Sequence, residues 1–247
     1  MSHDHFSTQS SDYVKYRPIY PEKLFDWLAA KAASTDTAWD CACGSGQATL
    51  YLATRFKQVV GSDLSRSQLN CAPHRPNIEW RVAHAEDSGL EGNSVDLITV
   101  AQALHWFDLR SFWQEVRRVG KYNGLIAVWS YGVFEIGNLE VKNVCNKFYD
   151  ETVGPYWPPE RKIVEAGYGS LDFPFQEIQS PSYKIEVSWN LDQLIGYFSS
   201  WSATTRYKVA TGNDPLPALR EQLAAYLGHE RVDLHWPISL RVGRINS

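Results

Sequence analysis

The sequence predicts an α/β fold built on a doubly wound, mostly parallel sheet, with helices on both faces and an antiparallel last strand. Three observations carry this. Short apolar runs alternate with segments of helical period across residues 21–130, as successive strand–helix crossovers require. The first apolar run enters its helix through a glycine-bearing loop. Two late segments of alternating character suit strands that finish the sheet.

The first helix is expected over residues 21–33, where Leu24, Phe25, Trp27 and Leu28 recur at helical spacing and Pro21 suits a first turn. Residues 37–41 read as a strand, and 47–55 as the helix beyond the glycine turn. The pattern repeats as strand 58–62, helix 65–71, strand 77–82 and strand 94–100. Leu109, Phe112, Trp113, Val116 and Val119 share one face of a helix over 108–119, and Asn123-Gly124 turns the chain into a fifth strand at 125–130. Beyond Tyr131 the regularity weakens. Helices are expected at 139–151, 191–199 and 217–227, separated by Pro155, Pro158-Pro159 and Phe173-Pro174. Residues 175–187 and 232–245 read as the closing strands, which makes 189–228 an insertion capping the sheet's edge.

A chain of 247 residues is expected to close around one core. Its 44% apolar content and ten tryptophans supply that core without help from a metal or disulfide. A formal net charge of −4 offers no basic footprint for DNA or RNA, so a small-molecule partner is expected. Cys41, Cys43, Cys71 and Cys145 form no even framework, and reduced thiols in a cytoplasmic protein, monomer or homodimer, are the expectation. No apolar run is long enough for a membrane span. His3 and His5 read as solvated, with no metal site.

The chemistry is concentrated in Asp40-Cys41-Ala42-Cys43-Gly44-Ser45-Gly46-Gln47. Glycines between strand and helix let the backbone turn tightly and a ligand approach the main chain. Many strand-to-helix turns need glycine for conformation alone, but Asp63 follows about twenty residues on, at the end of the second strand. There a carboxylate can accept both hydroxyl hydrogens of a ribose. Its alternative role is to cap the next helix, a task Ser65 can also serve. A nicotinamide dinucleotide wants a third glycine where Thr49 stands. Asp40 would disfavour a pyrophosphate and favour the ammonium of a methionine moiety, so S-adenosylmethionine (SAM) is preferred on charge.

These residues resemble the class I SAM-dependent methyltransferases, within them the group with a methyltransferase type 11 domain. The likeness spans residues 7–130. It is carried by Tyr13-Val14-Lys15-Tyr16-Arg17-Pro18, the Asp40 to Gln47 loop, Asp63, Ala83-His84-Ala85-Glu86-Asp87, Val95 through Phe107 with its Ala103-Leu104-His105-Trp106 core, and Glu115-Val116-Arg117-Arg118-Val119-Gly120. The family's loop is D-x-G-x-G-x-G, and here Ala42 replaces the first glycine. The resemblance implies a Rossmann-like sheet in one domain, with residues 1–20 as a lid, 35–130 as the SAM-binding core and 131–247 as the acceptor side. It implies that Asp40, Cys41, Ala42, Gly44, Gly46 and Gln47 line the methionine end, that Asp63 and Leu64 hold the ribose, and that Ala85 and Glu86 flank the adenine. Gln102 would face the cofactor, with Tyr13, Tyr16 and Arg17 folding over it.

A sulfonium methyl is already activated, so the enzyme's task is to hold a nucleophile in line and exclude water. A base is needed only for a protonated acceptor. His105 is the candidate, against a structural role in its motif, and Trp106 and Trp157 are candidates to meet the acceptor. The Tyr-Arg-Pro start and Ala-Leu-His-Trp core look similar to trans-aconitate-type and quinone-ring methyltransferases, making an O, N or C nucleophile, a carboxylic acid among them, the expected target. The alternatives are a catalytically inactive SAM-binding module and, less favoured, an NAD(P)-binding oxidoreductase.

Overall fold

The computed structural model describes residues 16–246. Helix α1 (Glu22–Lys31) buries Leu24, Phe25 and Leu28. The crossover core is β1 (Thr37–Cys41), α2 (Gln47–Ala53), β2 (Gln58–Asp63), α3 (Arg66–Asn70), β3 (Ile78–Val82), β4 (Val95–Ala101), α4 (Leu109–Val119) and β5 (Gly120–Tyr131). Then come β6 (Glu135–Ile136), α5 (Leu139–Lys147), α6 (Arg161–Glu165), β7 (Gln176–Glu177) and β8 (Tyr183–Trp189). Helices α7 (Leu191–Ser199), α8 (Ser202–Thr211) and α9 (Leu216–Leu227) precede the final strand β9 (Val232–Arg244).

Strands run in the order β3-β2-β1-β4-β5-β9, parallel from β3 to β5, with β9 antiparallel to β5. The mixed sheet read from the sequence is therefore what forms. All of β4 but its last residue is buried, as befits a central strand covered on both faces. One face packs Leu24, Phe25, Leu28, Ala48 and Leu52 of α1 and α2, and carries Leu194, Tyr197 and Phe198 of α7. The other packs Phe112, Trp113, Val116 and Val119 of α4 against Trp39, Ile98 and Val128. The chain passes from β1 out to β3 and returns to β4, so the crossovers reverse between β1 and β4. In such sheets that reversal opens a crevice at the carboxyl ends of the strands, where ligands bind.

The chain differs from expectation at four places in particular. The helix expected over 139–151 ends at Lys147 and widens into a π turn, Phe148–Thr152, that buries Phe148. The strand expected over 175–187 is two strands, β7 and β8, both paired with β9, with Pro181 in the gap between them. The capping insertion contains α8, which its sequence SATTRYKVAT hides, because β-branched residues and no apolar stripe give no helical period. Finally, β5 begins at Gly120 rather than 125; its register with β4 shifts between Val95 and Leu97, and Asn123 there takes a φ of 57°.

Candidate functional site

The loop after β1 is shaped by three left-handed residues, Ala42 (φ 54°), Gly44 (φ 57°) and Gly46 (φ 89°). Its main chain is pinned from inside: Cys43 N donates to Ser62 O at 2.9 Å, and Gly46 N to Cys43 O at 2.9 Å. Gly46 and Gly61 need to be glycine for space. A Cβ on Gly46 would run into the Trp80 ring, and one on Gly61 would stand 2.5 Å from Trp80 Cζ3. Ala42 carries a Cβ in the same kind of turn, and its left-handed backbone costs an L-residue roughly 1–2 kcal/mol. Ala42→Gly should therefore leave stability unchanged or raise it by up to about 1 kcal/mol, the relief offset by the entropy glycine adds to the unfolded chain. Chemical denaturation measures this, and a clear loss of stability would refute the strain.

Asp40 sits beneath the loop with no exposed surface. Its Oδ2 accepts from Thr49 Oγ1 at 2.5 Å and its Oδ1 from Thr99 Oγ1 at 2.8 Å. Burial outweighs those bonds and pushes its carboxyl up to about 6. Thr49, standing where a dinucleotide loop has glycine, is thus the anchor of this carboxylate. Cys41 and Cys43 flank it, and burial raises both thiols well above their ordinary range.

Asp63 ends β2 and grips both sides of the crevice. Its Oδ2 accepts from Gly44 N at 2.8 Å, and its Oδ1 from Ser65 N at 2.8 Å. Ser65 is the cap of α3, its hydroxyl accepting from Gln68 N. A carboxylate oxygen can accept more than one hydrogen bond, so supporting the loop does not exclude holding a sugar. Leu64 beside it is 48% exposed, an uncovered apolar side chain at the rim. Beyond β3, Ala85 is buried and Glu86 Oε1 accepts from Asp108 N at 3.0 Å. Ser88 fixes this turn by donating twice to buried Glu115 Oε1, at 2.9 Å from its amide and 2.5 Å from its hydroxyl. After β4, Gln102 takes a φ of 60° and its Nε2 donates to Tyr131 O at 3.1 Å.

Asp40 to Gln47, Asp63, Leu64, Ala85, Glu86 and Gln102 therefore gather at the carboxyl ends of β1 to β4. Of the N-terminal candidates, Tyr13 lies outside the described residues. Tyr16 packs onto Gly196 of α7, where a Cβ would stand 2.5 Å from its ring. Arg17 Nη2 donates to Ser200 O at 3.3 Å, while Gln47 Nε2 of α2 donates to Pro18 O at 2.9 Å. The segment thus bridges the loop helix and the insertion.

The turn Leu104–Trp106 follows β4. His105 Nδ1 lies 3.0 Å from the Tyr168 hydroxyl, and burial, seconded by the charge of Arg161, lowers its imidazole to about 4. Trp106 is 39% exposed. Trp157 is half-buried between Tyr149 and Trp201, with the Arg161 guanidinium 4.7 Å over its ring. Arg161 and Tyr168 had no motif to announce them; Pro158-Pro159 ahead of α6 and the Gly167-Tyr168-Gly169 turn were the only punctuation.

Residues 39–128 match the model of the methyltransferase domain. A Dictyostelium discoideum protein named as a methyltransferase is 38% identical over 223 residues, covering 89% of this chain and 85% of its own. The chain belongs to the class I SAM-dependent methyltransferases. A solved structure designated a type II methyltransferase, from Anaeromyxobacter dehalogenans, superposes with a TM-score of 0.86 at 42% identity, covering 93% of this chain and 98% of its own. The 2-phytyl-1,4-naphtoquinone methyltransferase of Trichormus variabilis is 28% identical over 205 residues, 78% of this methyltransferase and 83% of the relative.

Proposed function

We propose that this methyltransferase binds SAM across the carboxyl edge of β1 to β4 and transfers its methyl group to an O, N or C nucleophile of a small molecule. The observation that carries the reading is Asp63. At the end of β2 this carboxylate braces the Gly44 amide and the α3 cap, at the rim of the crevice where a ribose is held in such sheets. The pinned loop from Ala42 to Gly46 would take the methionine portion, with Ala85 and Glu86 beside the adenine and Gln102 facing the sulfonium. Trp106 and Trp157 would meet the acceptor. SAM supplies an activated methyl carbon, and the chain's own residues orient it, place the acceptor in line and shed water. The buried Thr49–Asp40 bond counts against an NAD(P) pyrophosphate at the same loop.

The acceptor range includes a carboxylic acid, and the naphthoquinone relative makes a ring carbon a second type to test. Among the described residues no helix is long and apolar enough to cross a membrane. We place the protein in the cytoplasm as a monomer or homodimer; its four free cysteines suit a reducing compartment.

S-adenosylhomocysteine at ten times its Kd should add about 1.4 kcal/mol to stability and raise Tm by a few degrees. NAD should do neither. Thermal melts over a wide titration decide it: a shift with NAD and none with S-adenosylhomocysteine would remove the assignment. Release of labelled methyl from SAM in a metabolite pool then separates an enzyme from a silent binding module.

A further inference from the structure

Tyr168 is fully buried and held in a left-handed backbone conformation, φ 61°, which for a bulky side chain persists only when its surroundings enforce it. Arg241 provides the enforcement. Its Nη1 donates to the carbonyls of Tyr168 at 3.2 Å and Leu171 at 2.8 Å, and its guanidinium lies 4.6 Å over the Phe173 ring. The strained turn delivers one group to the site, the phenol hydroxyl 3.0 Å from His105 Nδ1.

The direction of that hydrogen bond follows from the phenol's burial. Burial keeps its proton on, and a buried O–H left without an acceptor is costly. The hydroxyl therefore has a proton to give, and His105 Nδ1 is the acceptor in front of it. An imidazole that accepts at Nδ1 and is uncharged carries its single proton on Nε2. Burial and the charge of Arg161 keep the ring uncharged at neutral pH. Nε2 meets no partner among the described residues, nor is it sealed from solvent. Arg161 Nε donates to Tyr149 Oη at 2.8 Å and Glu165 Oε1 at 3.1 Å, leaving both Nη groups without an acceptor among the described residues.

We propose that Tyr168 is a positioning residue that fixes His105 as its Nε2–H tautomer, so that the imidazole offers the acceptor a hydrogen-bond donor and no base. It follows that the acceptor arrives already deprotonated, as a carboxylate, with Arg161 as its counter-charge. This rests on the methyl-transfer reading above. In the step, one carboxylate oxygen forms a bond to the methyl carbon as the carbon–sulfur bond breaks, and the bonding pair stays on sulfur. The sulfonium becomes a neutral thioether and the carboxylate a neutral ester. No proton moves, which matches an imidazole with one nitrogen occupied and the other protonated. The second oxygen is free to accept from Nε2–H and the guanidinium.

Long-range proton–nitrogen NMR on histidine-labelled, S-adenosylhomocysteine-loaded protein at pH 7 tests the tautomer, with His105 assigned by its loss in His105→Gln. Nε2 should resonate as a protonated nitrogen and Nδ1 as an unprotonated one. Tyr168→Phe should shift both toward the opposite or a mixed form while cofactor affinity stays unchanged. Protonation at Nδ1 in the wild type, or a spectrum indifferent to Tyr168→Phe, overturns the proposal; if that variant does not fold, the wild-type spectrum alone decides. For the acceptor, labelled SAM is offered to organic-acid and neutral metabolite fractions. Label released as methanol by mild alkali supports the carboxylate, and label confined to an alkali-stable product overturns it. Failure of S-adenosylhomocysteine to bind at all would instead defeat the methyltransferase reading on which this one stands.

Discussion

Asp63→Ala should weaken S-adenosylhomocysteine binding by roughly ten- to a hundredfold, the loss of charge-assisted hydrogen bonds worth about 1.5–3 kcal/mol. The effect has two sources. The ribose hydroxyls lose their acceptor, and the Gly44 amide loses the 2.8 Å bond that orients the loop. The fold should survive, because Ser65 still caps α3 through Gln68 N and the loop keeps its backbone bonds from Cys43 and Gly46. Asp63→Asn separates the sources, since an amide oxygen can still accept from Gly44 N but brings no charge to the sugar. Calorimetric titration of both variants reads the outcome. An Ala variant that unfolds, with unchanged affinity in whatever remains folded, would assign Asp63 to the helix cap alone.

Asp63 could be read from the sequence because everything that defines it is local. A strand end, a glycine loop and a spacing of about twenty residues fix where a carboxylate meets that loop. The same holds for β1, α2, β2 and β4, whose apolar runs and turns announce themselves within a dozen residues. Thr49 shows the limit of such reading. As a missing glycine it excluded a ligand, whereas its positive role, a buried bond to Asp40, needs the fold. The surroundings of His105 were less legible for a stronger form of that reason. His105 and Tyr168 stand 63 positions apart, and nothing in GYG announces a phenol that will be aimed at an imidazole. Helix α8 stayed hidden because its place is set by packing against α7 and the Gly154–Tyr156 turn, with no stripe in its own sequence to mark a face.

Asp40 and His105 should give the protein opposite pH dependences that nearly cancel between pH 4 and 6. Asp40 titrates at about 6 in the fold against an ordinary value near 3.9. A raised carboxyl favours the fold fully below the unfolded value, and that stability is lost as pH rises through the folded one. The loss runs from about pH 4 to pH 6 and amounts to about 3 kcal/mol at 1.36 kcal/mol per unit. His105 runs the other way. Its folded value of about 4 lies below the ordinary 6.5 or so, so the unfolded chain gains the proton first. Stability is full above about pH 6.5 and falls by about 3 kcal/mol as pH drops to about 4. In the shared window one slope offsets the other. Single variants should uncover them: His105→Gln leaves a protein that loses stability as pH rises from 4 to 6, and Asp40→Asn leaves one that loses it as pH falls across the same range. Comparing each variant with the wild type at matched pH removes the contribution of every other carboxylate. Urea unfolding at half-unit pH steps gives the curves. Parallel pH profiles for wild type and both variants would mean that neither group is held away from its ordinary ionisation by the fold.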